Sequence, residues 1–315
     1  MFERLSDEIR KENIVLSPSA LMEFAKSPKH YRAAYILKEK KQTDAMFEGE
    51  LVHKIILEPD VFLEKYSVLD SKENYLVTSD QIKDAIIELG EKPCKGKKED
   101  WVNQLSALSP ESKIWDLYEK QVLDQGKRLV SSETYQILTR IAQEARSHPW
   151  LSKTIPGAMI EQPAWFKHET GIYFSTRMDL YHPGLGASKT PVIVDVKKVR
   201  NANPIKFMRV VADMDLQIQA AVYVDCVKAL TGREPHFAFA LVEFDSPYII
   251  EIAALDIGAI EAGRAQYNKL IFKYIECLET DTWPAYTNGI CTNISLPSWK
   301  FEQIDYDADR ELETV

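Results

Sequence analysis

The octapeptide PVIVDVKK, residues 191–198, is an almost continuous β-branched run interrupted by one aspartate. Such a run suits a central strand buried on both faces. A carboxylate inside it is expensive unless it is paired or holds a cation, so Asp195 requires a partner. Lys197, two positions on, projects from the same face because side chains alternate with period two.

Working outward on the N-terminal side, Ile160 to Lys167 and Ile172 to Tyr181 alternate with period two around a His168-Glu169-Thr170-Gly171 turn, which predicts a β-hairpin. Asp179 closes the second strand and is placed to face Asp195 across a neighbouring strand. Two converging carboxylates repel, and a divalent cation is the usual remedy. On the C-terminal side a helix is expected from about Asp213 to Leu230, closed by Gly232. Strands His236 to Phe244 and Tyr248 to Ala254 follow, then a long helix Ile257 to Leu278. The class is therefore α/β: a mixed central sheet flanked by helices, packed with N-terminal helices.

The first third reads as helical. Ser17-Pro18-Ser19 caps one helix, and Leu51, Val52, Ile55 and Ile56 repeat at helical spacing up to a Glu58-Pro59-Asp60 stop. Residues 75–108 form a distinct small unit: Thr78-Ser79-Asp80 caps a helix to Leu89, Gly90 ends it, and a second helix runs from Gly96-Lys97-Lys98 to Leu105. Residues 111–147 return to helix. The chain is treated as one domain, 1–315, with 75–108 inserted.

At 315 residues the chain can bury a sizeable core, and 45% hydrophobic with 28% charged residues excludes a disordered or fibrous protein. No run approaches the about 20 apolar residues of a membrane span, and Met1 to Lys11 is charged, so a cytoplasmic location is expected. The formal charge of −9 repels polyanions over the whole surface but leaves room for a local basic site. The four cysteines, Cys94, Cys226, Cys277 and Cys291, show no metal-binding spacing and read as reduced, buried thiols.

A strand bearing Asp195 and Lys197, a preceding hairpin bearing Asp179 and a following helix together resemble the PD-(D/E)xK nuclease superfamily. FEGELVHKIILEP (47–59) resembles the G-x-x-x-H element of its RecB-like branch, and Gln219 with Tyr223 in QIQAAVY (217–223) resembles that branch's Q-x-x-x-Y element. With HETGIYFSTRMDLY, VIVDVKK, TDTWPAY and ISLPSWK, these segments are most similar to the exodeoxyribonuclease VIII (RecE-like) family over most of the chain. The 75–108 unit resembles a SAP-like helix-turn-helix and departs from the family as an insertion. The iron–sulfur cysteine pattern of Cas4-like and AddB-like relatives is missing.

The resemblance implies a 5′→3′ exonuclease on linear double-stranded DNA that leaves 3′ single strands for a single-strand annealing protein in recombination. It implies Mg²⁺, with Mn²⁺ as the alternative: one ion held by Asp179, Asp195 and the Val196 carbonyl, and a second site completed by His53 and Glu161. Lys197 acts on the attacking water or the developing charge, and Gln219 and Tyr223 position the lysine and the DNA backbone. Ring-shaped homo-oligomers are implied too. Arg177, Lys198, Arg200, Lys97 and Lys98 are the candidate DNA contacts, and Lys38, Lys40, Lys41, Lys206 and Arg209 candidates for a basic lining.

The residues alone leave alternatives open. Asp195 and Lys197 could form a simple ion pair, His53 could be a core histidine, and Gln219 and Tyr223 satisfied core polar groups. Glu161 could be an exposed strand residue, Arg177 an ion-pair partner, and 75–108 a charged loop between surface helices. An endonuclease of the same superfamily and a non-catalytic DNA-binding recombination protein are the competing functions.

Overall fold

The computed structural model describes residues 2–303 except 70, 188 and 288. The chain divides into two compact units, one of residues up to Met22 with Lys41–Lys269, the other of Glu23–Lys40 with the described residues from Leu270 on.

In chain order, helix α1 (Asp7–Glu12) leads to strand β1 (Val15–Leu16), then to α2 (Pro18–Lys26) and α3 (Pro28–Tyr31). Ser17 Oγ accepts from Ala20 N, and Ser27 caps α3 with Pro28 at its first turn. A π-helical turn follows at Arg32–Ile36. Helix α4 (Asp44–Leu57) starts at the Thr43 cap and buries Leu51, Val52, Ile55 and Ile56. Then come α5 (Phe62–Lys65), β2 (Tyr66–Leu69), α6 (Ser79–Glu88), α7 (Lys98–Leu108), α8 (Trp115–Asp124), β3 (Arg128–Ser131), α9 (Ser132–Ser147) and α10 (Leu151–Thr154). The hairpin β4 (Met159–Lys167) and β5 (Tyr173–Leu185) precedes β6 (Thr190–Val199). Helices α11 (Pro204–Asp213) and α12 (Leu216–Thr231), strands β7 (His236–Glu243) and β8 (Ile250–Ala254), and α13 (Ile257–Thr280) complete the order.

The main sheet runs β1-β5-β6-β7-β8, with β4 on β5. It is mixed: β4–β5, β5–β6 and β7–β8 are antiparallel, β1–β5 and β6–β7 parallel. Helices α11 and α12 form the crossover that a parallel pair requires. Pro191 to Val196 are buried without a break, as the β-branched run demands. One face carries α4 and α9 over Val192, Val194 and Val196. On α12, Gly232 adopts φ +71° at the C-cap. A Cβ on Gly263 of α13 would overlap the carbonyl oxygen of Gln217, so the two helices approach backbone to backbone only because that residue is glycine.

Several expectations need correction. A helix absent from the sequence reading, α11, fills 204–213 behind an Asn203 cap with Pro204 at its start. Helix does not run unbroken through 111–147: β3 interrupts it to pair in parallel with β2, and β1 was also unforeseen. The four thiols are not all buried, because Cys94 and Cys291 lie in exposed loop and tail segments while Cys226 and Cys277 sit on helices facing packed surfaces.

Burial pushes the Cys226 thiol up to about 12. Native protein should therefore release two fast thiol equivalents to a disulfide-exchange reagent near neutral pH, and four after denaturation. Four fast equivalents in the native state would contradict the packing.

The 79–108 helix pair has its own small core of Ile82, Ile86, Val102 and Leu105 with Ile114. Thr78 and Gln81 form a capping box, and Gly90 leaves α6 at φ +83°. In the second compact unit Tyr31 and Tyr274 share a 3.0 Å hydroxyl hydrogen bond, with Phe24 edge-on to both rings. Among the described residues no helix is long and apolar enough to cross a membrane.

Candidate metal centre and active site

The antiparallel register that sets Leu180 against Val194 carries Asp179 of β5 opposite Asp195 of β6. On the other side of β5, the register that pairs Ile160 with Leu180 and Gln162 with Met178 carries Glu161 of β4 opposite Asp179. Three adjacent strands thus place three acids in one row. Glu161 adopts φ +49°, a left-handed backbone unusual for a residue with a side chain, and no pairing with β5 forms there. His53 enters from α4, which lies across β6.

Donor atoms of His53, Glu161 and Asp179 lie within 4.8 Å of one another. His53 Nδ1 is 3.2 Å from Asp179 Oδ2, and the same oxygen accepts a 2.7 Å hydrogen bond from the Val196 amide. Val196 thus meets Asp179 through its N–H. Glu161 Oε2 is ion-paired to Arg177 Nε at 2.8 Å, and the arginine is otherwise largely exposed.

Lys197 Nζ lies 2.6 Å from Asp195 Oδ2 and also reaches Gln219 Oε1 at 3.2 Å. Gln219 Nε2 donates to Asp195 Oδ1 at 2.7 Å and to the Tyr223 hydroxyl at 3.2 Å, and Tyr223 donates to the Arg177 carbonyl at 3.1 Å. One helical turn separates Gln219 from Tyr223, so both side chains point down the same face of α12 onto the sheet. Asp195 Oδ2 is the exception in a satisfied network. It is buried with the Lys197 ammonium as its one close partner, so a carboxylate oxygen with two lone pairs keeps one of them free.

That open lone pair beside a His/Glu/Asp cluster suits a hard divalent cation, which takes oxygen ligands and accepts an imidazole. The residues present fit such an ion.

Electrostatics follow from burial. Burial raises Asp195 above the usual carboxylate range, with the Lys197 ammonium opposing it. Burial works to raise Asp179 too, but the His53 hydrogen bond, the charges of His53 and Lys197 and the Val196 amide outweigh it and hold it low. Burial would lower Lys197, yet the charges of Asp195 and Asp179 win and keep it an ammonium. His53 is raised because Asp179 overcomes its burial.

The remaining sequence candidates lie around this centre. Lys198 is ion-paired to Glu48 of α4 and tethers the helix bearing His53. Arg200 is exposed at the end of β6. Lys97 and Lys98 start α7, where Lys98 is ion-paired to Asp116 at 2.6 Å. A Cβ on Gly49 would meet nothing within 4 Å, so the turn before His53 borders open space.

Sequence reasoning missed a cleft of about 910 Å³ that opens beside Gln219 and Tyr223. Arg4 and Arg10 from the N-terminal arm, Ser17 and Ser19, and Ser175 with Arg177 of β5 line it. Arg10 donates to Ser175 Oγ at 2.9 Å, a contact between residues 165 positions apart that no local pattern announces.

The fold is shared with the crystal structure of a "Putative exonuclease" from Eubacterium rectale, at 14% identity and TM-score 0.54, covering 94% of this chain and 96% of that one. No curated protein matches the sequence. The match that spans residues 17–296 takes in all three acidic strands, the lysine, the His53 helix and the Gln219 helix, and by it the chain belongs to the family described as PDDEXK-like domain of unknown function (DUF3799).

Proposed function

We propose that the protein is a divalent-metal-dependent exodeoxyribonuclease that degrades linear double-stranded DNA from its ends in the 5′→3′ direction. The 3′ single-stranded tails it leaves would serve a single-strand annealing protein in RecE-like recombination. Its membership of a PDDEXK-like family and the fold it shares with a protein described as an exonuclease support nuclease activity. The observation that carries the reading is the convergence of His53, Glu161 and Asp179 within 4.8 Å, beside an Asp195–Lys197–Gln219 network.

A divalent cation held there, Mg²⁺ by preference and Mn²⁺ as the alternative, would supply Lewis acidity toward the phosphate and its attacking water. Asp179, Asp195, His53, Glu161 and the Val196 carbonyl are its proposed holders. Lys197 remains an ammonium between two carboxylates, so its role is to neutralise charge developing on the scissile phosphate rather than to take a proton. Gln219 holds Lys197 and Asp195 in register, and Tyr223 locks Gln219 to the β5 backbone.

The arginine- and serine-lined cleft beside Gln219 is the proposed seat of the strand end, with Arg177 swinging from Glu161 to phosphate. Lys198, Arg200, and Lys97 and Lys98 of the inserted SAP-like pair within a single nuclease domain, are proposed to contact the duplex backbone. A ring-shaped homo-oligomer would gather such residues around the DNA in a chain whose total charge is −9.

The test is release of acid-soluble nucleotides from linear and from covalently closed duplex DNA, with Mg²⁺ or with EDTA. Digestion of linear DNA alone, abolished by EDTA, is expected. Cutting of closed circles would move the reading to an endonuclease, and digestion that survives EDTA would overturn the metal centre.

A further inference from the structure

Helix α11 buries Phe207 and Val211 against the sheet, yet leaves Ile205 73%, Met208 62% and Met214 59% exposed. An ordinary surface helix would carry charge at those places. Beside it, between α11 and the edge strand β8, lies a cleft of about 510 Å³ whose walls include Pro204, Ile205, Met208, Phe239 and Ile252, with Asp256 its one charged lining residue.

Cations border this apolar strip. At about 100° per residue, Arg209 lies one turn beyond Ile205 on the same side and Lys206 next to it, on the flank away from the cleft. Arg200 precedes the helix. All three are exposed, and none forms an ion pair or side-chain hydrogen bond among the described residues.

Charge complementarity identifies the occupant. The cores of protein–protein interfaces are depleted in charge, whereas this apolar strip is flanked along its outer side by unpaired cations in a chain of net charge −9. An unpaired nucleic-acid strand has the matching chemistry, apolar base faces beside a row of phosphates. A paired duplex keeps its bases stacked inside and offers no such faces. Pro204 follows Lys197 by seven residues, so the helix starts at most about 25 Å from the lysine, within a few nucleotides of it.

We propose that the α11–β8 cleft holds unpaired bases of the DNA strand, with its phosphates on Arg200, Lys206 and Arg209. The inference rests on the nuclease reading above. It assigns the strip a task separate from hydrolysis, namely keeping a separated strand from reannealing near the site.

The experiment measures binding in EDTA, so no turnover is needed, by fluorescence anisotropy with a labelled oligothymidylate and with a blunt duplex of equal length. The full-length chain is compared with Ile205→Ser/Met208→Ser and with Lys206→Ala/Arg209→Ala, each checked for an unchanged melting midpoint. The apolar pair should weaken single-strand binding roughly 5- to 100-fold, with duplex binding within about twofold and the salt slope unchanged. The charge pair should reduce the single-strand salt slope by about 1.4, two contacts at about 0.7 each.

Equal losses on both DNAs, or none on either, would overturn the proposal. So would a change in oligomeric mass with binding intact, which would make a second copy of the chain the occupant. Lys197→Met, assayed in parallel for hydrolysis, separates the outcomes: if it stays active the nuclease reading fails, whatever the cleft binds.

Discussion

Lys197→Met lowers metal-dependent hydrolysis by about 10² to 10³-fold, the range seen when one preorganised donor to a developing oxyanion is removed. Methionine keeps the length and the apolar stem of the lysine and deletes only the ammonium, so packing along β6 survives. Asp195 loses its counter-ion but remains hydrogen-bonded to Gln219. The variant therefore keeps its circular dichroism spectrum while losing turnover. Steady-state rates on linear DNA at saturating Mg²⁺ provide the measurement. A rate within threefold of wild type would remove Lys197 from the reaction.

Phe239→Ala acts in the opposite sense, on stability and not on chemistry. Phe239 is fully buried on β7 in register with Asp195, and its ring meets Phe207 at 5.2 Å and Phe237 at 5.0 Å, both edge-on. Truncation removes the ring and leaves a void under α11 that the sheet cannot close, which costs about 3–5 kcal/mol. At about 2–4 °C per kcal/mol for a chain somewhat smaller than this one, the melting midpoint falls by roughly 6–20 °C. Phe239→Leu keeps most of the volume and should cost less than about 1.5 kcal/mol. Differential scanning calorimetry on the three proteins decides it, and hydrolysis measured well below the midpoint should persist in both variants. An unchanged midpoint for Phe239→Ala would mean that the ring is not part of the core.

The sequence showed the middle of the fold clearly and its margins poorly. Asp195 and Lys197 stood out because a charge in a β-branched run has few explanations, and Gln219 with Tyr223 because their spacing matches one helical turn. The opposition of Glu161, Asp179 and Asp195 was only partly visible, since period two gives the face of each residue but not the register between strands. Nothing local marks Glu161 as left-handed; its φ of +49° appears only once the hairpin is formed. Helix α11 escaped because its exposed Ile205, Met208 and Met214 blur the amphipathic pattern, although Asn203-Pro204 was a valid start signal. Strands β2 and β3 are four residues each and some sixty positions apart, too short for a period and too distant for a hairpin. Two of the arginines of the cleft beside Gln219, Arg4 and Arg10, come from the N-terminal arm, and tertiary packing alone brings Arg10 to Ser175.

The row of acids on three adjacent strands also governs when in synthesis the site can form. His53, Glu161, Asp179, Asp195 and Gln219 belong to five different elements and span more than half of the chain, so no fragment shorter than that span carries all five. Their long-range pairings form after local helices do, because loop closure must precede them. A ribosome that has made α4 and the 79–108 pair has made soluble helices only. Until α12 has emerged and docked on β4 and β5, Lys197 has no amide to hold it and Asp195 no donor from Gln219. On the nuclease reading, the site is thus completed late in synthesis, by folding itself.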